Sequence, residues 1–290
     1  MQLVPALGGG DASREAARLA KADQASELLR EFADLEGYIG AEYARLAGYP
    51  EAVCKSIEEQ YLPEAAGGSL PSTDAGKVLS AADKLDTLAV AFSLGHRPTG
   101  SRDPFGLRRA AIGVARLAVE GGLRIERALL EPEVRDFVEE RLDSLLDVPV
   151  EFVRAARASG VEDLAGVAAL AGYLAALPQE RLAPVHEVYT RASRISGPAD
   201  GEALRPELVS EPAEEALRDA LNELQNEKVK LGDFDGAFES AAGLAPVVER
   251  FFEDVLVMAE DSEVRANRLR LLRDVKEKVG VLGDFSQIPL

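Results

Sequence analysis

"PTGSRDPFGLRRAAIG", Pro98 to Gly113, sets a tight turn, one acid and three arginines directly before an apolar, alanine-rich run. Two readings compete for it. Arginines on a turn can grip phosphate, whereas an Asp-Pro step can open a helix, with aspartate as N-cap and proline at the first helical position. On a wheel of about 100° per residue, most apolar side chains of the following helix share one broad arc. Arg109, Gly113 and Arg116 fall together on the opposite stripe, and Arg108 lies inside the apolar arc. Asp103 and Pro104 are therefore read as capping, and Arg108 as the buried partner of a carboxylate. Arg109 and Arg116 either meet phosphate or form a solvated edge. The stretch is a helix start first and an RNA contact second.

The rest of the chain follows the same helical habit. Alanine and leucine dominate, aromatics make up 6%, tryptophan is absent, and no long β-branched alternation occurs. This predicts an all-α protein. With 290 residues, 47% of them hydrophobic, the chain can bury a sizeable core and hold two or three domains. The net charge of -18 disfavours RNA wherever no basic patch exists, but local patches govern phosphate contact more than the total. Two stretches break the acidic trend: Leu94–Arg116, with five arginines against one aspartate, and Ser262 to the end, with six Lys/Arg against four acids. The single cysteine, Cys54, excludes an internal disulfide, suits a reducing cytosol and reads as a packing residue. No apolar stretch approaches the roughly 18 residues of a membrane span, and the N-terminus lacks a signal-peptide pattern. A cytoplasmic, non-membrane protein is expected.

Helices are expected near Ala12–Phe32, Gly37–Leu46, Pro50–Tyr61, Asp74–Leu94, Pro104–Val119, Glu133–Leu146, Val150–Ser159, Glu162–Leu177 and Gln179–Arg194. After a polar, Pro/Gly-rich stretch from Ile195 to Pro212, they resume near Ala213–Leu231, Asp233–Met258 (interrupted by Gly243 and Pro246) and Ser262–Val279. On the Lys77–Leu94 segment Asp86 projects into the apolar arc. Since a buried unpaired charge is costly, Asp86 and Arg108 are expected to satisfy each other. In the last helix Val264, Leu271, Leu272, Val275 and Val279 share a face with Arg268 at its middle, so Arg268 is assigned a structural role, with Asp254 as first-choice partner. Asn267, Arg270 and Arg273 turn outward, where they can contact successive phosphates or stack on unpaired bases, or simply solubilise the face.

His96 and His186 are the only histidines, and no Walker loop, GxGxxG or GxSxG motif is present. "LSAADKLDTLA" (Leu79–Ala89) resembles the closing helix of HD-domain phosphohydrolases, whose aspartate ligates metal. "ARLAKAD" (Ala17–Asp23) resembles the helix carrying their His-Asp pair, but Ala22 stands where the histidine would be. Asp23, Asp83 and Asp86 are accordingly expected to hold no metal. A divergent metal-dependent phosphohydrolase remains the alternative function.

Three further stretches carry a broader resemblance: Ala17–Ala44, Ala82–Gly113 and Phe251–Leu272, "FFEDVLVMAEDSEVRANRLRLL". In order and spacing they resemble landmarks of the bacterial glycyl-tRNA synthetase β subunit, with Arg102 where the family commonly has lysine and Gly106 where it has a non-glycine residue. Family β subunits extend far upstream, so the resemblance implies a C-terminal portion. It implies residues 1–130 as a partial, degenerate HD-like domain and 131–194 as connecting helices. Residues 195–212 would be a polar loop, and 213–290 the C-terminal part of an anticodon-binding helical bundle. It further implies tRNA(Gly) and the α subunit as partners, in an assembly of two α and two β. No catalytic residue and no cofactor would belong to this chain, and ATP and Mg would be used through the α subunit.

Overall fold

Thr73 accepts a hydrogen bond from the Gly76 amide at 3.0 Å and so opens the longest helix, Asp74–Ser93. Such caps satisfy amides that the first helical turn leaves without partners. In a computed structural model describing residues 2–197, 203–224, 226–230 and 232–290, every regular element is helical among the described residues, apart from two isolated bridges. The fold is all-α. The chain divides into two compact units, Met1–Leu146 with Asp163–Ala165, and Asp147–Glu162 with Gly166–Leu290.

In the first unit the Glu51–Glu59 helix packs against Asp11–Leu19, Tyr38–Leu46 and Asp74–Ser93. Ala16, Ala41, Ala44, Val53, Cys54, Ile57 and Leu79 form its tight core. Cys54 is fully buried, and its thiol donates to the Tyr49 carbonyl at 3.5 Å. The Asp74–Ser93 helix also packs on Leu107–Val119. That close approach needs Gly113, because a Cβ there would stand 2.7 Å from Cε of Lys84.

The expected Ala12–Phe32 helix is cut into Asp11–Leu19, a 3-10 turn at Ala22–Ala25, and Glu27–Glu31. Lys21 breaks it with a left-handed φ of 62° and reaches Asp83 at 2.5 Å, and Ser26 caps the third piece through the Leu29 amide. The expected Glu133–Leu146 helix is likewise two, Pro132–Glu139 and Leu142–Leu145.

In the second unit the Ser262–Val279 helix packs on Gln179–Ile195 and on Pro212–Asn222. Its Leu271, Leu272, Val275 and Val279 are buried. Phe285 lies between Tyr189 and Phe238, at ring separations of 5.7 and 6.4 Å. Gly243 and Pro246 fall where the expected Asp233–Met258 helix divides into Phe234–Ala242 and Ala245–Asp254. Residues 198–202 of the expected polar loop, and Gln225 and Leu231 of the expected Ala213–Leu231 helix, lie outside the described residues.

Glu214 ties this unit together. One carboxylate oxygen accepts from the Ser210 and Glu211 amides at 3.0 and 2.9 Å, and the other accepts from Arg268 Nε at 2.7 Å. Arg268, 7% exposed, also donates to the Leu256 carbonyl at 2.9 Å. Burial by itself would raise the Glu214 pKa, yet the hydrogen bonds from Arg268 and the two amides outweigh it and hold the carboxyl below its usual range. A lowered carboxyl pKa contributes stability that is present above the unfolded-state value and lost as pH falls through the folded one. Arg268→Ala, which strands a buried carboxylate, is expected to destabilise by about 3–5 kcal/mol. Chemical denaturation at neutral pH measures this, and the penalty should shrink on acidification as Glu214 protonates.

Candidate nucleic-acid interface

The Pro98–Gly113 stretch builds an exposed platform. Thr99 and Arg102 exchange backbone hydrogen bonds at 3.1 and 2.9 Å, closing a tight turn. Asp103 then receives the amides of Leu107 and Arg108, one on each carboxylate oxygen, at 2.8 and 2.9 Å. The helix runs Leu107–Val119 and does not begin at Pro104. Gly106 stands before it with φ at 65°, a left-handed value that favours glycine and keeps Pro104 and Phe105 outside the helical turns. Asp103 thus caps the helix from beyond its first turn. Arg108 straps the loop, donating to the Gly100 carbonyl at 2.8 Å.

Two arginines are left over. Arg102 and Arg109 are exposed, and neither side chain has a hydrogen bond or ion pair among the described residues. Beside them Phe105 is 55% exposed, with its ring 4.9 Å from that of the exposed His96. Neither aromatic is singled out by periodicity, because both sit in the loop, where a helical wheel assigns no face. Arg97 is already engaged, stacked on Phe92 at 3.9 Å and paired with Glu133.

Several expected roles change. Asp86 is exposed and does not bond Arg108, whose partner is the Gly100 carbonyl: the wheel ranks direction but not depth, and this edge of the helix faces outward. Arg116 is 8% exposed and is no solvated edge. It forms a two-pronged bridge with Glu120 at 2.9 and 2.7 Å and donates to the Gly68 carbonyl at 2.7 Å.

The last helix is also covered where it was expected to face out. Asn267 is buried, accepting from the Arg205 amide at 2.7 Å and donating to the Arg205 carbonyl at 3.0 Å. Arg273 is buried and donates to the Ser196 carbonyl at 3.0 Å. Arg270 is half-buried between Asp274 and Glu277, at 2.5 and 3.0 Å. The segment carrying Pro206–Leu208 packs on this side, so the helix is enclosed on two faces, whereas an amphipathic wheel presumes one. Arg268 pairs with Glu214 and not with Asp254, which binds Arg250 at 3.1 Å.

A cleft of about 530 Å³ adjoins the platform, lined by Phe105, Arg109, Thr87 and Lys84 together with acidic side chains. Lys84 is buried and donates to the Tyr61 and Leu62 carbonyls at 3.1 and 3.0 Å and to Ser80 Oγ at 2.9 Å. Burial pushes its pKa down to about 8. The HD-like carboxylates do not converge: Asp23 accepts from the Gly37 amide at 2.8 Å, Asp83 holds Lys21 at 2.5 Å, and Asp86 faces solvent. Among the described residues no three His, Cys, Asp or Glu side chains are grouped to hold a metal, and no helix is long and apolar enough to cross a membrane.

A family profile described as "Glycyl-tRNA synthetase beta subunit" matches residues 2–159, more than half of the chain and all of the platform. The chain belongs to the glycyl-tRNA synthetase β-subunit family. Among its relatives the glycine–tRNA ligase beta subunit of Moorella thermoacetica is 35% identical, over 94% of this chain and 44% of its own length. The same-named proteins of Neisseria meningitidis serogroup B and Chromohalobacter salexigens are 34% and 37% identical, over 98% and 97% of this chain and 45% of their own lengths. The chain therefore spans under half the length of these synthetase relatives.

Two outcomes follow from the platform and its neighbour. Asp103→Ala is expected to cost about 1–2 kcal/mol by urea denaturation, the range for loss of a helix cap. Between the folded Lys84 pKa of about 8 and the ordinary value of about 10.4, the unfolded chain binds a proton that the folded chain lacks, so stability gains a term that rises with pH. Subtracting the pH profile of Lys84→Met from that of the parent should reveal this rise, at no more than about 1.4 kcal/mol per pH unit.

Proposed function

We propose that this chain is the tRNA-contacting part of a glycyl-tRNA synthetase β subunit and binds tRNA(Gly) through the Pro98–Arg109 platform. The observation that carries the reading is the pair of unengaged guanidinium groups, Arg102 and Arg109, beside the exposed His96–Phe105 ring pair. Arginine donates two parallel hydrogen bonds to a phosphate, and aromatic faces stack unpaired bases, so the set suits a bent or single-stranded RNA segment. In a chain of net charge -18, unpaired cations on a turn and on the first turn of the helix it leads into are what an RNA backbone can use.

The family supplies the wider frame. In this proposal residues 1–130 are the degenerate HD-like domain and 213–290 the end of the anticodon-binding bundle. The α subunit carries ATP- and Mg-dependent glycine activation, in an assembly of two α and two β subunits. Anticodon contact by the second unit rests on family membership and not on Asn267, Arg270 or Arg273, whose side chains are already bonded within the fold.

A titration of a glycine tRNA transcript across a salt series tests the platform. The double variant Arg102→Glu/Arg109→Glu should bind at least about tenfold more weakly, with the salt slope shallower by about one for each arginine that had met a phosphate. Its melting temperature should stay at the parental value, because neither side chain has a partner among the described residues. Parental binding at every salt concentration would remove the platform from the interface.

A further inference from the structure

In the second unit a cleft of about 330 Å³ runs between the Gln179–Ile195 and Ala245–Asp254 helices. We propose that it receives a cationic helical segment of a partner protein, one presenting small apolar side chains flanked by lysine or arginine. The inference is independent of the tRNA reading.

The cleft floor is apolar. Val188 and Val248 are buried beneath it, and Ala183 is exposed within it. Small side chains on this floor leave room for an incoming helix to come near, as ridges enter grooves in helix packing. The rim is acidic on both sides, with Glu180 and Glu187 on one helix and Glu249 on the other, all exposed. The one cation among the described lining residues, Arg191, is already engaged, 3.4 Å from Glu187 and 4.3 Å over the Phe252 ring. A cleft with this balance repels phosphate and attracts ammonium or guanidinium groups.

The first helix is interrupted at the cleft by a proline. Pro184 stands inside the first helix and has no N–H, so the Glu180 carbonyl lacks the donor that would stand four residues on. Pro184 itself lines the cleft. A second copy of this chain is a poor occupant, because two bodies of net charge -18 repel each other.

The test uses the full chain and a fluorescein-labelled synthetic peptide with alanine along one helical face and lysines on both flanks, compared with its scrambled counterpart. By fluorescence anisotropy the patterned peptide should bind at least about tenfold tighter than the scrambled one. Ala183→Phe, which fills the cleft from an exposed position, should remove that preference, as should Glu180→Gln/Glu249→Gln. Circular dichroism melts of both variants should match the parent. Equal binding of the two peptides, no binding of either, or indifference to Ala183→Phe would overturn the proposal. Self-association or tRNA binding abolished by Ala183→Phe would overturn it equally, by giving the cleft to a second copy or to RNA.

Discussion

A guanidinium taken out of water must be met by acceptors on several sides, and the pairing of Arg268 with Glu214 shows how this chain does it. The Glu214 carboxylate receives two backbone amides that begin the Pro212–Asn222 helix, and with its other oxygen it holds Arg268 from the last helix. Helix start, helix pairing and charge neutralisation thus converge on one side chain. Replacing only one partner leaves the other stranded, which is why such pairs are expensive to break even when their net contribution is small.

The same requirement decides which cations remain for a ligand. Arg116, Arg268 and Arg273 are drawn inward onto carboxylates and main-chain carbonyls, and Arg270 is shared between two acids. An acidic chain has carboxylates to spare, so most arginines find an internal partner. Asp103, the acid nearest to Arg102 and Arg109 in sequence, is occupied by the Leu107 and Arg108 amides and pairs with neither. The loop is held by a carboxylate that accepts only backbone donors, and the charge on its outer side stays uncompensated.

How far the sequence could be read follows from these contacts. The all-helical class and the capping role of Asp103 come from local rules, as does the inward turn of Arg268, which depends only on an apolar arc within one helix. The left-handed Lys21 was beyond them, since its conformation is stabilised by Asp83, sixty-two positions away in sequence. Glu214 was invisible as the partner of Arg268 for the same reason, and the nearer Asp254 looked the better choice. Asn267 and Arg273 misled because a wheel assumes one wet side, and a segment around Arg205 covers that side. The platform was half legible: its arginines stood out by charge, while its rings, lying between helices, had no periodicity to mark them.

The buried thiol of Cys54 bears on how this protein can be studied. It is the chain's only cysteine, fully enclosed in the first unit, and its pKa is raised by burial. A thiol of this kind presents little thiolate to maleimides or haloacetamides. The folded protein is therefore close to a blank background for sulfur chemistry. A cysteine placed on the surface would take a spin label or a fluorophore almost alone, without first deleting a core residue and paying for the void.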